Sequence, residues 1–289
     1  MVDQTLKLAP RYAGRRRNAL PTAGRSVLYV VMAGLAFTTL FPLIWMLFTS
    51  IRTSAEVSAN PLGLALSAPQ FGNYLEAWKS AAPFFLNSVM LAAICVVGVL
   101  AVSSLAGYAF ARLEFPGRNF AFSLVLATAI IPGIIYLIPQ YLLFQHFGWI
   151  NTFYPLWVPK VLTPVFGTFL MRQAFLTLPK ELEDAALLDG ANRFQIYLRI
   201  MLPQTKASLA AVGIFTFIES WNDLFGPLIF INSTNLQTLP LALAQFQGNF
   251  FTSVPILMAA SAITIIPVLL VYLFAQKYFV QAITSSGLK

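Results

Sequence analysis

Residues 84–110 and 254–275 contain no charged side chain. A helix needs about 20 apolar residues to cross the hydrocarbon core of a bilayer. Both stretches meet that length, and four others approach it: 26–50, 120–143, 154–171 and 207–231. Lipid offers no partner to backbone polar groups, so only helices and closed barrels span it. Runs of this length are helical, and the sequence therefore predicts an all-α membrane protein with six transmembrane helices. Composition agrees. Charged residues make up 10% of the chain and hydrophobic ones 58%, against about 25% charged in a soluble domain. Too few charges are present to cover a water-soluble surface. The 26 Phe, 10 Tyr and 5 Trp exclude a disordered chain. A single cysteine, Cys95, permits no internal disulfide and no cysteine metal cluster.

The net charge of +8 is read from its placement. Six basic residues precede the first run: Lys7, Arg11, Arg15, Arg16, Arg17 and Arg25. Two follow the second (Arg112, Arg118) and five follow the fourth (Arg172, Lys180, Arg193, Arg199, Lys206). Lys277 and Lys289 close the chain. With six spans these regions share one side, leaving Arg52 and Lys79 on the other, plus Lys160 near a span end. The positive-inside rule puts both termini in the cytoplasm of a multi-pass protein of the cell membrane. The excess is then a topology signal and not a nucleic-acid footprint. Residues 1–25 form a basic tail, either a mobile arm near anionic lipid or a solvated signal. The apolar stretch 26–50 exceeds a signal-peptide core and lacks a clean cleavage site, so it reads as a retained span. Prolines 42, 132, 139, 155, 159, 164, 227 and 267 lie in or near spans. They fit either a bundle lining a cavity or ordinary kinks.

The segment 172–206 is the longest link on the basic side. Glu181, Glu183 and Asp184 follow Pro179, where carboxylates suit the start of a helix. Gly190 is placed as a stop. Phe194, Tyr197, Leu198 and Met201 then recur at helical spacing, and Pro203 is expected to close this second helix. Leu182, Ala185 and Ala186 give the first helix a small apolar face. Such a helix docks into a groove on another protein or lies on lipid.

The segment Asp184-Ala185-Ala186, three residues, Gly190, nine residues, Ile200, Met201, Leu202-Pro203 resembles the signature loop of permease subunits in binding-protein-dependent ABC importers. In that loop Glu-Ala-Ala precedes Gly, Ile and Leu-Pro at the same intervals. Asp189-Gly190-Ala191 is similar to the carbohydrate branch of the family, in the manner of the maltose permeases. Tyr108–Arg118, Ile131-Pro-Gly133, Trp221-Asn-Asp223 and the chain's ending add to the resemblance, which covers about residues 26–289. It implies a type I importer permease fold over 26–289, with a cytoplasmic coupling helix between spans four and five. It implies a second homologous permease, two copies of a cytoplasmic ATPase subunit that bring ATP and magnesium, and an extracytoplasmic solute-binding protein as partners. It implies ATPase coupling through Glu183, Asp184, Ala185, Ala186, Asp189, Gly190, Ala191, Leu202 and Pro203. The family's acid before the two alanines is Glu, and here it is the shorter Asp184. Whether Asp184 or the adjacent Glu183 meets the ATPase is left open by the sequence.

No phosphate-binding G-x-x-x-x-G-K-[ST] occurs, so no cofactor is expected on this chain. With His146 the only histidine, neither a histidine metal site nor a catalytic triad is expected. The chain reads as a transport subunit and not an enzyme. Glu219 and Asp223 lie in the fifth run, four residues apart, on one helical face if the helix is continuous. An ionised carboxylate at a helix centre costs at least about 2.5–3.5 kcal/mol on insertion scales, so such groups face a cavity or a partner. With Trp221 and Asn222 they supply the carboxylate, amide and indole groups that hold a sugar. The alternatives are a polar clamp between helices and the proton relay of a stand-alone secondary transporter. No lysine or histidine is expected at that depth to complete a relay. A non-sugar solute remains a second reading of the cargo.

Overall fold

The computed structural model describes residues 22–63, 66–249 and 253–286. Most of the basic tail and the last three residues lie outside them. The chain divides into two compact units, residues 1–46 and 47–289. The first contains most of the helix Thr22–Ser50, which carries Pro42 in its interior. The hydroxyls of Thr38 and Thr39 donate to the carbonyls of Gly34 and Leu35, which satisfies them within an apolar helix.

The second unit is organised around Gly72–Arg112. This helix packs against Val165–Leu176, Lys206–Trp221, Val254–Ser286 and Tyr154–Leu162. Small residues permit the close approach. A Cβ on Gly107 would stand 2.6 Å from that of Met171. Helices in lipid gain little from the hydrophobic effect and associate through such close packing. At the opposite end, Asn87 donates to the carbonyls of Asn235 and Gln237, and Asn151 Oδ1 accepts from the amides of Asn232 and Ser233.

Three helices are by themselves long and apolar enough to cross a membrane, and three bent pairs bring the number to as many as six. The second span begins at Gly72, well before the apolar run, so Glu76 and Lys79 are helical and not part of a connecting loop. The third is broken by 86° between Arg118–Thr128 and Gly133–His146, where Pro132 and Gly133 interrupt it. Within Tyr154–Leu176 the fourth is interrupted at Thr163–Pro164 and at neither Pro155 nor Pro159, and it then bends by 78° into Glu181–Leu188. Pro155 sits in the first turn, where no amide partner is lost. The fifth stops at Trp221 and resumes as Phe225–Phe230.

Candidate functional site

Glu181–Leu188 is the first helix of the 172–206 segment. Gly190 ends it with φ +81°, as expected of a glycine stop. The amide of Gly190 bonds to the Leu187 carbonyl and that of Ala191 to the Ala186 carbonyl. Together they form a Schellman cap that needs a left-handed residue at position 190. Asn192 then caps Arg193–Ile196 reciprocally with Gln195. A π-turn over Tyr197–Met201 follows. Pro203 does not close this helix: it lies within the last turn, Leu202–Gln204. The wide π-turn ahead of it relieves the clash a proline ring makes with the carbonyl four residues back. An 81° bend then leads into Lys206–Trp221.

Only two residues of Glu181–Leu188 are buried, Glu183 and Ala186. Ala186 joins an apolar cluster with Tyr108, Met171, Phe175, Ile196, Tyr197 and Met201, and Ala191 and Leu202 pack against its edge. Glu183 points inward too. Its Oε1 lies 3.2 Å from Arg112 Nε and its Oε2 3.5 Å from Arg193 Nη1. Burial raises the pKa of this carboxyl, and the two arginines pull it back only in part. Arg112 also donates to the carbonyls of Phe175 and Leu178 at the end of Val165–Leu176. Asp184, Ala185 and Asp189 are exposed. Leu188 is 89% exposed, with Leu182, Leu187, Phe194 and Leu198 also uncovered. The two neighbouring acids that the sequence could not tell apart therefore face opposite ways.

The second cluster joins the fourth and fifth spans. Lys160 Nζ lies 2.8 Å from Asp223 Oδ2 and 3.9 Å from Glu219 Oε1. The expectation that no lysine stands beside these acids is thus corrected: Lys160 is a member of the cluster. The helix ends at Trp221, so Glu219 and Asp223 do not share a continuous helical face. Lysine brings them together instead. Asp223 Oδ1 also accepts from the amide of Gly226, in the first turn of the next helix. Glu219 is 71% exposed by side chain, and Asn222 is exposed beside it. Trp221 is turned away from them. It is 2% exposed, stacks on Phe217, meets Phe85 edge-on and donates to the Thr264 carbonyl. The signal that marks Lys160 in the sequence is its isolation: it is the one charge in 154–171.

Residues 101–285 match the family described as "Binding-protein-dependent transport system inner membrane component". The chain belongs to this family. It is 36% identical over 268 residues to the arabinooligosaccharides transport system permease protein AraQ of Halalkalibacterium halodurans, covering 91% of this chain and 96% of that one. To the trehalose/maltose transport system permease protein MalG of Thermococcus litoralis it is 32% identical, covering 88% and 93%. The fold matches a bacterial ABC transporter involved in the import of the acidic polysaccharide alginate, with a TM-score of 0.78 over 90% of this chain and 99% of that one. The family places the chain in a membrane as the permease component of an ABC importer, with the helical transmembrane fold of type I importers.

Proposed function

We propose that this chain conducts a carbohydrate across the inner membrane, with both termini in the cytoplasm, and that residues 181–204 are its docking element for an ATPase subunit. The outward face of Glu181–Leu188 carries this reading. It presents a free carboxylate, Asp184, among uncovered leucines, while Glu183 and Ala186 hold the helix to the bundle. Glu181 is exposed beside Asp184 in the first turn, and a helix presenting apolar residues and carboxylates suits a groove with a basic group. Asp184 is accordingly the acid that meets the ATPase. A second permease of similar fold, two ATPase copies carrying ATP and magnesium, and an extracytoplasmic binding protein complete the importer. Nucleotide would bias the assembly between two states of alternating access.

The permeases AraQ and MalG are named for sugar transport, and this supports a sugar as cargo. Within the span cluster the roles divide. Asp223, tied to Lys160 and to the Gly226 amide, clamps two spans together. Glu219 and Asn222 are left to meet the sugar's hydroxyls, since an exposed carboxylate at this depth needs a wet or polar neighbour.

The test is capture of the ATPase by the assembled permease pair. Asp184→Asn should weaken capture on the order of tenfold, the loss of one charge-assisted contact, while Glu183→Gln should leave it intact. Equal capture by wild type and Asp184→Asn would overturn the docking role of this acid. For the cargo path, Glu219→Gln should reduce the stimulation of ATP hydrolysis by sugar-loaded binding protein. An unchanged response removes Glu219 from the path.

A further inference from the structure

The docking helix is short. Eight residues do not hold a helix in place through their own hydrogen bonds, and only Glu183 and Ala186 of Glu181–Leu188 are buried. Ala186 contributes one methyl group to the apolar cluster. Among its described side-chain contacts, the one ion pair to a span is that of Glu183 with Arg112; Arg193, which bonds the other oxygen of the same carboxylate, belongs to the docking segment itself.

Arg112 is the last residue of Gly72–Arg112 and is 5% exposed by side chain. Its guanidinium meets three segments together. It donates to the Phe175 carbonyl, in the last turn of Val165–Leu176, and to the Leu178 carbonyl beyond it. It stands 3.2 Å from the Glu183 carboxylate of the docking helix. One turn earlier, Tyr108 lies edge-on to Phe175 at 5.5 Å and 5.2 Å from Tyr197. Tyr197 in turn shares a buried hydrogen bond with Ser104. A planar fork with five donors is suited to several acceptors in fixed directions, which an ammonium is not.

We propose that Arg112 is a positioning residue for coupling: it fixes the docking helix to the ends of the second and fourth spans at one point, so that displacement of the helix moves both spans. The proposal rests on the docking role given above to residues 181–204. Arg112 is too buried to touch a partner and acts through Glu183. Without it, a helix with one buried methyl group slides or turns under load, and hydrolysis proceeds without movement of the spans.

The experiment uses the complete importer in liposomes, with both permeases, the ATPase and the binding protein, and reads sugar transported per ATP hydrolysed. Arg112→Gln should lower that ratio roughly tenfold, equivalent to about 1.4 kcal/mol, with the ATPase still captured. Arg112→Lys should restore it in part, because lysine keeps the charge and loses the fork. Glu183→Gln should also lower the ratio, and the double variant should be no worse than Arg112→Gln alone, as for two partners of one interaction. A wild-type ratio in assembled Arg112→Gln or Glu183→Gln complexes overturns the proposal. So does a loss of thermal stability at an unchanged ratio, which marks a structural role only. If Arg112→Gln does not assemble, Glu183→Gln decides, since burial already disfavours the charge it removes. The docking role fails separately, if capture of the ATPase is indifferent to Asp184→Asn and to Leu188→Asp.

Discussion

The two charge clusters of this chain are built in opposite senses. At the loop, one carboxylate, Glu183, is set between two arginines and shut away from solvent. In the spans, one lysine is set between two carboxylates, and Glu219 remains largely open. The loop cluster carries a net positive charge and the span cluster a net negative one. In both, an acid is used up in holding helices together, and another acid close by is left outward: Asp184 beside Glu183, and Glu219 beside Asp223. An acid's place in the sequence thus does not tell its task. What decides it is how closely a cation from another helix approaches and whether the acid is shut from solvent: Lys160 stands 2.8 Å from Asp223 and 3.9 Å from the open Glu219.

The comparison breaks most sharply at Lys160. Lys160→Met leaves two carboxylates in an apolar span without their cation, and should cost about 2 kcal/mol or more of stability. Thermal unfolding of the purified permease pair in detergent would measure it. Adding Asp223→Asn should recover part of the loss. If Lys160→Met melts like wild type, the span cluster is not a clamp. A smaller effect is expected at the loop's turn. Gly190 has φ +81°, yet a Cβ there would meet nothing within 4 Å. Gly190→Val should therefore cost about 1–3 kcal/mol from backbone strain alone, and Gly190→Asn much less, because asparagine tolerates the left-handed region. Equal losses would place the cost in packing instead.

The smallest effect separates the two clusters by pH. Burial raises the Glu183 pKa in the folded state. A raised carboxyl binds protons more readily folded than unfolded, so its contribution favours folding below the ordinary value and is lost as pH rises through the raised one. Glu183→Gln is insensitive to this. The stability of wild type relative to Glu183→Gln should therefore rise as pH falls through that window. Melting both proteins at several pH values tests it, and parallel curves would mean that the two arginines offset the burial fully.

Much of this was legible in the sequence. Uninterrupted apolar runs set the helices, because lipid leaves the backbone no other choice. The spacing from Asp184 to Pro203 marked the family, and Gly190 the turn between the two helices of that segment. Other features needed the third dimension. Glu183 and Asp184 are adjacent, and nothing local says which of them finds Arg112. Trp221 reads as a sugar platform from its neighbours, but its indole finds the Thr264 carbonyl on another helix. Lys160 reads as an isolated charge near a span end, because the acids it meets lie on the next span. Pro203 reads as a stop, and the π-turn that accommodates it has no composition of its own.

Arg112 and Arg172 were counted among the charges that orient the chain, yet in the folded protein neither is a free surface cation. Arg112 donates to the carbonyls of Phe175 and Leu178. Arg172 donates to the carbonyl of Phe110 and lies over the Phe122 ring. Two parallel helices thus exchange arginines at their carboxyl ends, where cations are favoured. Orientation is decided while a nascent chain is being threaded into the bilayer, before its helices meet. If the positive-inside rule orients the chain, the same two residues are used twice in the life of the molecule, first as ballast that decides which way up it sits and afterwards as rivets. Removing either would be felt at birth as well as at work.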